Sequence, residues 1–136
     1  MQYAKRCSIG LVAFLGAIAM GSEELYPHVT QEELMGWMKN KQVIVVDCNS
    51  SDSYQNGHIP GAISFSEAGN SLPAQLPADK SSLIVVYCGN EHCPKYKVCG
   101  NAIHNLGYSN VRHYAPGIRG WRASGARTVA GGEPGS

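Results

Sequence analysis

Apolar positions along the chain fall into two kinds of run. Gln42-Val-Ile-Val-Val46 and Leu83-Ile-Val-Val-Tyr87 are continuous, rich in β-branched residues and of strand length. Neither alternates with polar residues, so both strands are expected to be buried on both faces, as in a parallel sheet covered by helices. Ala62-Ile-Ser-Phe65 and Asn110-Val-Arg-His113 are shorter strand candidates. Leu34, Trp37 and Met38 instead fall at helical spacing behind Thr30-Gln-Glu-Glu33, a capping box, and read as a core-facing stripe on a helix ending near Asn40. Further helices are predicted over 52–56, 95–106 and 117–123. Leu72 to Lys80, with Pro73 and Pro77, reads as an irregular connection holding one helical turn. Strands alternating with helices predict an α/β domain with a central parallel sheet, helices on both faces and right-handed crossovers.

The first 22 residues differ from the rest. Lys5 and Arg6 precede Ile9 to Met20, an uncharged run of twelve residues. As a helix it would span about 18 Å, short of the roughly 30 Å hydrocarbon core of a bilayer. The basic start, short apolar stretch and Ala17-Ile-Ala19 predict a signal peptide cut after Ala19, and so export to a periplasmic or extracellular compartment. A buried N-terminal helix or a retained anchor, with a cytoplasmic domain in the first case, is the alternative. Cys7 precedes the apolar run, so acylation at the cleavage point is not indicated. Residues 23–126 form the expected folded domain and 127–136, Gly- and Pro-rich, an expected flexible tail.

Composition narrows the function. Hydrophobic residues make up 43% and charged residues 15%, enough for one core and too little charge for a disordered chain. The formal charge is +1 with no basic stripe interleaved by aromatics, so no nucleic-acid partner is expected. No membrane association beyond the N-terminal signal is expected either.

The chemistry concentrates in Val85-Val-Tyr-Cys-Gly-Asn-Glu-His-Cys-Pro-Lys-Tyr-Lys97. A buried strand ends at Tyr87, and Cys88 follows at the carboxyl edge, where open α/β sheets bind ligands. Gly89, Asn90, Glu91, His92 and Cys93 form a loop, and Pro94 and Lys95 open a helix. That geometry aims free amides and a positive helix end into the loop, favouring an anion. The same field lowers a cysteine pKa from about 8.5 towards a reactive thiolate, with Lys95, Lys97 and His92 as nearby cations. Two lysines opening a helix oppose its dipole, which an anion would compensate; solvated surface lysines are the plainer reading.

Val46-Asp-Cys-Asn49, Tyr54 and Gly57-His-Ile-Pro-Gly-Ala62, then Ile84-Val-Val-Tyr-Cys88, then Leu106-Gly-Tyr108, Asn110-Val111 and Gly117-Ile118 with Trp121 together resemble the rhodanese family, over roughly residues 26–125. The resemblance implies a three-layer domain with about five parallel strands. It implies a sulfurtransferase in which Cys88 takes a sulfane sulfur from a small anionic donor such as thiosulfate and passes it to a thiol or cyanide. Such two-step covalent catalysis needs no cofactor, and the loop amides would hold the oxyanion.

Two departures from the family pattern stand out. The loop is about two residues longer, a change that surface loops accommodate, and no arginine occurs between Cys88 and Gly107. The missing arginine counts against the oxyanion-clamping phosphatases and arsenate reductases and weakens thiosulfate as the natural donor. Glu91 repels anions unless it points outward. A non-catalytic binding or regulatory module is therefore an alternative.

Cys93, five positions after Cys88, is a candidate resolving thiol that could leave a Cys88–Cys93 disulfide. That permits a thiol-disulfide oxidoreductase served by a redox partner protein. With the signal removed, four cysteines remain and three pairings are possible; Cys48 and Cys99 read most simply as buried small hydrophobes. Cys88, His92, Cys93, Cys99 and His104 do not have zinc-site spacing, and no metal is expected. Asp47, Gly57, His58, Pro60 and Gly61 read as structural, with His58 bonding Asp47 or backbone. Trp121 reads as core or lid. Arg112, His113, Arg119 and Arg122 either rim the site or are surface charge.

Overall fold

The structure, a computed structural model, describes residues 25–132. The predicted signal segment and the last four residues lie outside them. The order is α1 (Gln31–Lys39), β1 (Ile44–Asp47), α2 (Ser51–Asn56), β2 (Ile63–Ser64), α3 (Phe65–Ala68), a short 3₁₀ turn, α4 (Leu72–Gln75), β3 (Ile84–Tyr87), α5 (Lys95–Asn105), β4 (Val111–Tyr114) and α6 (Gly117–Ala123). All strand pairs are parallel, in the order β2-β1-β3-β4.

Alternate residues of the two apolar runs enter different cores. Val46, Ile84 and Val86 pack with Cys99 and Ile103 of α5 and Leu72 of α4. Val45, Val85 and Tyr87 pack with Leu34 of α1 and Trp121 of α6. A strand sandwiched in this way has no solvent face, so a polar residue in it, such as Asp47 at the end of β1, must find its partners inside the protein. The capping box forms as the sequence predicts: Thr30 Oγ1 accepts from the Glu33 amide at 3.1 Å and the Glu33 carboxylate accepts from the Thr30 amide at 3.1 Å.

The sheet has four strands where about five were expected. The segment beside β4 makes only an isolated parallel bridge, His28 to His113. Pro27 O accepts from the His113 amide and the Val29 amide donates to His113 O, both at 2.9 Å. Pro27 has no N–H to extend the ladder, and Thr30 already turns the chain into α1. Residues 127–131, expected as tail, instead lie on the domain. Val129 is buried and pairs with His58 through two hydrogen bonds of 2.9 and 3.0 Å, and the Gly131 amide donates to Gln55 O. The apolar Val129 explains the docking, since Gly-rich composition governs only the residues after it.

Cys48 and Cys99 are buried, as read from the sequence, but not as free thiols: they form a disulfide from the end of β1 to α5. Closing a loop across 51 residues contributes about 4 kcal/mol in the chain-entropy account.

His113 holds the N-terminal segment by its backbone and is 2% exposed. Its ring stacks on Tyr96 with centroids 3.5 Å apart and meets His28 edge-on at 5.1 Å. Neither ring nitrogen has a hydrogen-bond partner among the described residues. Burial, helped by the neighbouring His28, pushes its pKa down to about 4. The folded state therefore refuses a proton that the unfolded chain takes up near pH 6.5, so stability falls as pH drops from 6.5 towards 4. Urea unfolding should show a loss of about 3 kcal/mol across that window, and His113→Gln should remove most of the slope.

Candidate active site

β3 ends at Tyr87, and its hydroxyl fixes the floor of the site. The Tyr87 hydroxyl donates to Asp47 Oδ2 at 2.5 Å and accepts from the Ile59 amide at 3.1 Å. The other Asp47 oxygen accepts from the Asn49 amide at 2.7 Å. Burial holds the Asp47 carboxyl above the usual carboxylate range, partly offset by the hydrogen bonds from Tyr87 and Asn49. Burial first, and then the Asp47 charge, push the Tyr87 hydroxyl well up, so it stays a donor. These bonds tie β1, β3 and the Gly57–Ala62 turn into one support.

The residues of the Gly57–Ala62 turn are held by backbone and ring contacts. His58 Nδ1 bonds Tyr54 O at 2.8 Å and its ring stacks on Tyr54 at 3.6 Å. Of the two partners considered for His58, the side chain bonds backbone rather than Asp47. Gly57 is buried, and Pro60 and Gly61 line a cleft with Met38, Val43 and Ile63 that includes none of the cysteine-loop residues.

Cys88 follows Tyr87 at the carboxyl edge of β3 and is 0% exposed. Its sulfur is bonded to that of Cys93, with the Cα atoms 6.2 Å apart, and Cys93 is partly exposed. The loop between them is built on Asn90: its side-chain oxygen accepts from the His92 amide at 2.9 Å and its carbonyl from the Cys93 amide at 3.2 Å. The amides of Gly89, Asn90 and Glu91 donate to no group among the described residues. Pro94 caps α5, and Lys95 is exposed. Glu91 does point outward: its side chain is 71% exposed and lies 3.3 Å from His92, itself 87% exposed.

The loop is oriented from outside. The first amides of α6 turn back onto it: Ile118 donates to Cys88 O and Arg119 to Gly89 O, both at 3.0 Å. With those carbonyls held against α6, the amides of the loop face elsewhere. Gly117 permits the approach. It sits at φ +64°, and a Cβ there would lie 2.5 Å from Cys88 O and 2.8 Å from the Gly89 carbonyl carbon.

Of the four candidates for the rim, two line clefts beside the loop: Arg119, and His113, which shares a second cleft with Glu91 and His92 but is held neutral by burial. Arg119 lines a cleft of about 370 Å³ with Asn90, Glu91, His92 and Pro116. Arg112 lies over the Trp37 ring at 5.7 Å, Arg122 reaches Gly57 O at 3.5 Å and His113 is buried. Trp121 is core, with its indole N–H donating to Arg127 O at 2.8 Å. His104 bonds Tyr108 O near the far end of α5, and Cys99 is committed to Cys48. Linear spacing within the loop could not show that an arginine of α6 lines the cleft beside it. The signal was its position just after β4, at the carboxyl edge the cysteine shares.

Residues 30–124 match the model of the rhodanese-like domain family. An HTH-type transcriptional regulator of Mycobacterium tuberculosis is 32% identical over 116 residues, 84% of this chain and 49% of the regulator. The chain thus spans about half the length of that curated relative. Among solved structures, the thiosulfate sulfurtransferase of Pseudomonas aeruginosa superposes with a TM-score of 0.65 at 24% identity, covering 80% of this chain and 21% of the other. The rhodanese-like domain of an Anabaena protein gives 0.62 at 21% identity, covering 78% and 80%. At such identities the structural likeness shows the fold.

The packing at Gly117 yields a test. Gly117→Ala adds left-handed strain of about 1–2 kcal/mol and drives a methyl into backbone that cannot swing aside. Gly125→Ala, at φ +81° with nothing within 4 Å of the added carbon, adds the strain alone. Urea unfolding should show Gly117→Ala costing at least about 1 kcal/mol more than Gly125→Ala, the usual scale for overpacking.

Proposed function

The chain belongs to the rhodanese-like domain family, and we propose that it is a sulfurtransferase carrying a sulfane sulfur as a persulfide on Cys88. The observation that carries this reading is the placement of Cys88. It ends the central strand and heads a loop whose Gly89, Asn90 and Glu91 amides have no acceptor among the described residues. Amides so placed stabilise an anion without reorganising, and a cysteine beside them and a helix start is favoured as thiolate.

The donor is a small anion of the thiosulfate class. Once the bond to Cys93 is reduced, the Cys88 thiolate attacks the sulfane sulfur of thiosulfate. The sulfur–sulfur bond breaks, sulfite leaves with the electron pair and Cys88 carries the persulfide. A thiophilic acceptor, cyanide or a thiol, then takes the terminal sulfur and Cys88 leaves as thiolate. Arg119, exposed on the cleft beside the loop, supplies the cation that the loop lacks. An exported location suits a chain with two disulfides. A second reading, a regulatory domain without turnover, draws on the likeness to a transcriptional regulator.

Mass spectrometry decides between them. Reduced protein given thiosulfate, a cyanide acceptor and excess dithiothreitol should turn over, and Cys88→Ser should abolish turnover together with any sulfur adduct of about 32 Da, one sulfur on the oxidation ladder. Absence of any sulfur transfer from thiosulfate would favour the regulatory reading. Arg119→Ala should raise KM for thiosulfate several-fold with little change in kcat, as expected when a uniformly binding charge is removed.

A further inference from the structure

We propose that Cys93 is the internal resolving thiol of the Cys88 persulfide, making this domain a sulfide-releasing enzyme that a dithiol reductant must recharge. The inference rests on the persulfide reading above and assigns the step that follows it.

Three observations carry it. Cys93 lies within covalent reach of Cys88 without any rearrangement, because the two sulfurs are bonded. Its position is set by the loop itself, with the Cys93 amide held on Asn90 O and α5 beginning two residues on. The rival described thiols are withdrawn: Cys48 and Cys99 are bonded to each other in the core. A thiol so tethered attacks at an effective concentration that no dissolved acceptor matches.

In the step itself, the Cys93 sulfur attacks Cys88 Sγ and a disulfide forms between them. The bond from Cys88 Sγ to the terminal sulfur breaks. That sulfur leaves as hydrosulfide with the electron pair and the proton that Cys93 gives up. The two cysteines are oxidised by two electrons and the sulfane sulfur is reduced by two. Restoring the thiols takes two electrons from an external dithiol, of the small-molecule or protein class.

The burial pattern sets the direction of that recharge. Cys88 is fully buried and Cys93 partly exposed. An incoming thiolate therefore meets Cys93 first, forms the mixed disulfide there and expels Cys88 as thiolate, the form needed for the next donor. The Cys88–Cys93 disulfide is thus an intermediate of turnover.

A single-turnover experiment tests this. The full chain is reduced, freed of reductant and given thiosulfate with no thiol or cyanide present, and released sulfide and protein mass are followed together. Wild type should release about one equivalent of sulfide per chain and end about 2 Da lighter than it began, and dithiothreitol should restore a second round. Cys93→Ser and Cys93→Ala, confirmed folded by circular dichroism, should release none and keep the adduct of about 32 Da on Cys88. A wild-type protein that holds a lasting adduct without releasing sulfide overturns the role of Cys93 and leaves the persulfide reading standing. Absence of both adduct and sulfide in all three proteins overturns the persulfide reading, and this inference with it.

Discussion

The site depends on two hydrogen bonds from outside the cysteine loop. The Ile118 and Arg119 amides at the start of α6 hold the carbonyls of Cys88 and Gly89. A peptide plane held by its oxygen has its N–H direction settled as well, so these bonds decide where the loop amides point. They also satisfy N-terminal amides of a helix that has no side-chain cap. Gly117 makes the contact possible because only a residue without Cβ fits there in a left-handed conformation. Arg119 gains its position from the same contact: its backbone anchors the loop while its side chain lines the adjoining cleft.

Beneath the loop, the Asp47–Tyr87 pair joins β1 to β3 at the level where the cysteine emerges. The carboxylate is buried, yet it accepts from the Tyr87 hydroxyl and the Asn49 amide, and such satisfaction is what makes a buried polar group tolerable. The hydroxyl in turn holds the turn that begins at Gly57 through the Ile59 amide. The two disulfides divide the labour. Cys48–Cys99 lies in the core and braces β1 against α5, whereas Cys88–Cys93 has one partly exposed sulfur and spans the loop at the sheet's carboxyl edge.

Much of the fold was legible because its signals are local. Val43 to Val46 and Leu83 to Tyr87 announce doubly buried strands by lacking alternation, and the capping box at Thr30 and Glu33 marks its helix through a three-residue spacing. The fifth strand was less legible. Whether a short segment such as Tyr26 to Val29 pairs along its length depends on the neighbour it meets, and here Pro27 and the cap at Thr30 leave it a single bridge. The docking of Val129 on His58 was hidden for the same reason: one apolar residue in a Gly-rich stretch carries no periodicity.

The sequence by itself determined the α/β class, the family resemblance and the identity of Cys88 as the residue at the sheet's carboxyl edge. It also placed Cys93 five positions away, near enough to be considered. All of these follow from short-range order along the chain, where spacing translates directly into geometry. Only the tertiary structure decided which cysteines pair, that the carbonyls of Cys88 and Gly89 are held by α6, and that Arg119 rather than Arg112 or Arg122 stands at the loop. Each of those contacts joins residues brought together by strand order and helix packing, and separation along the chain carries no record of either.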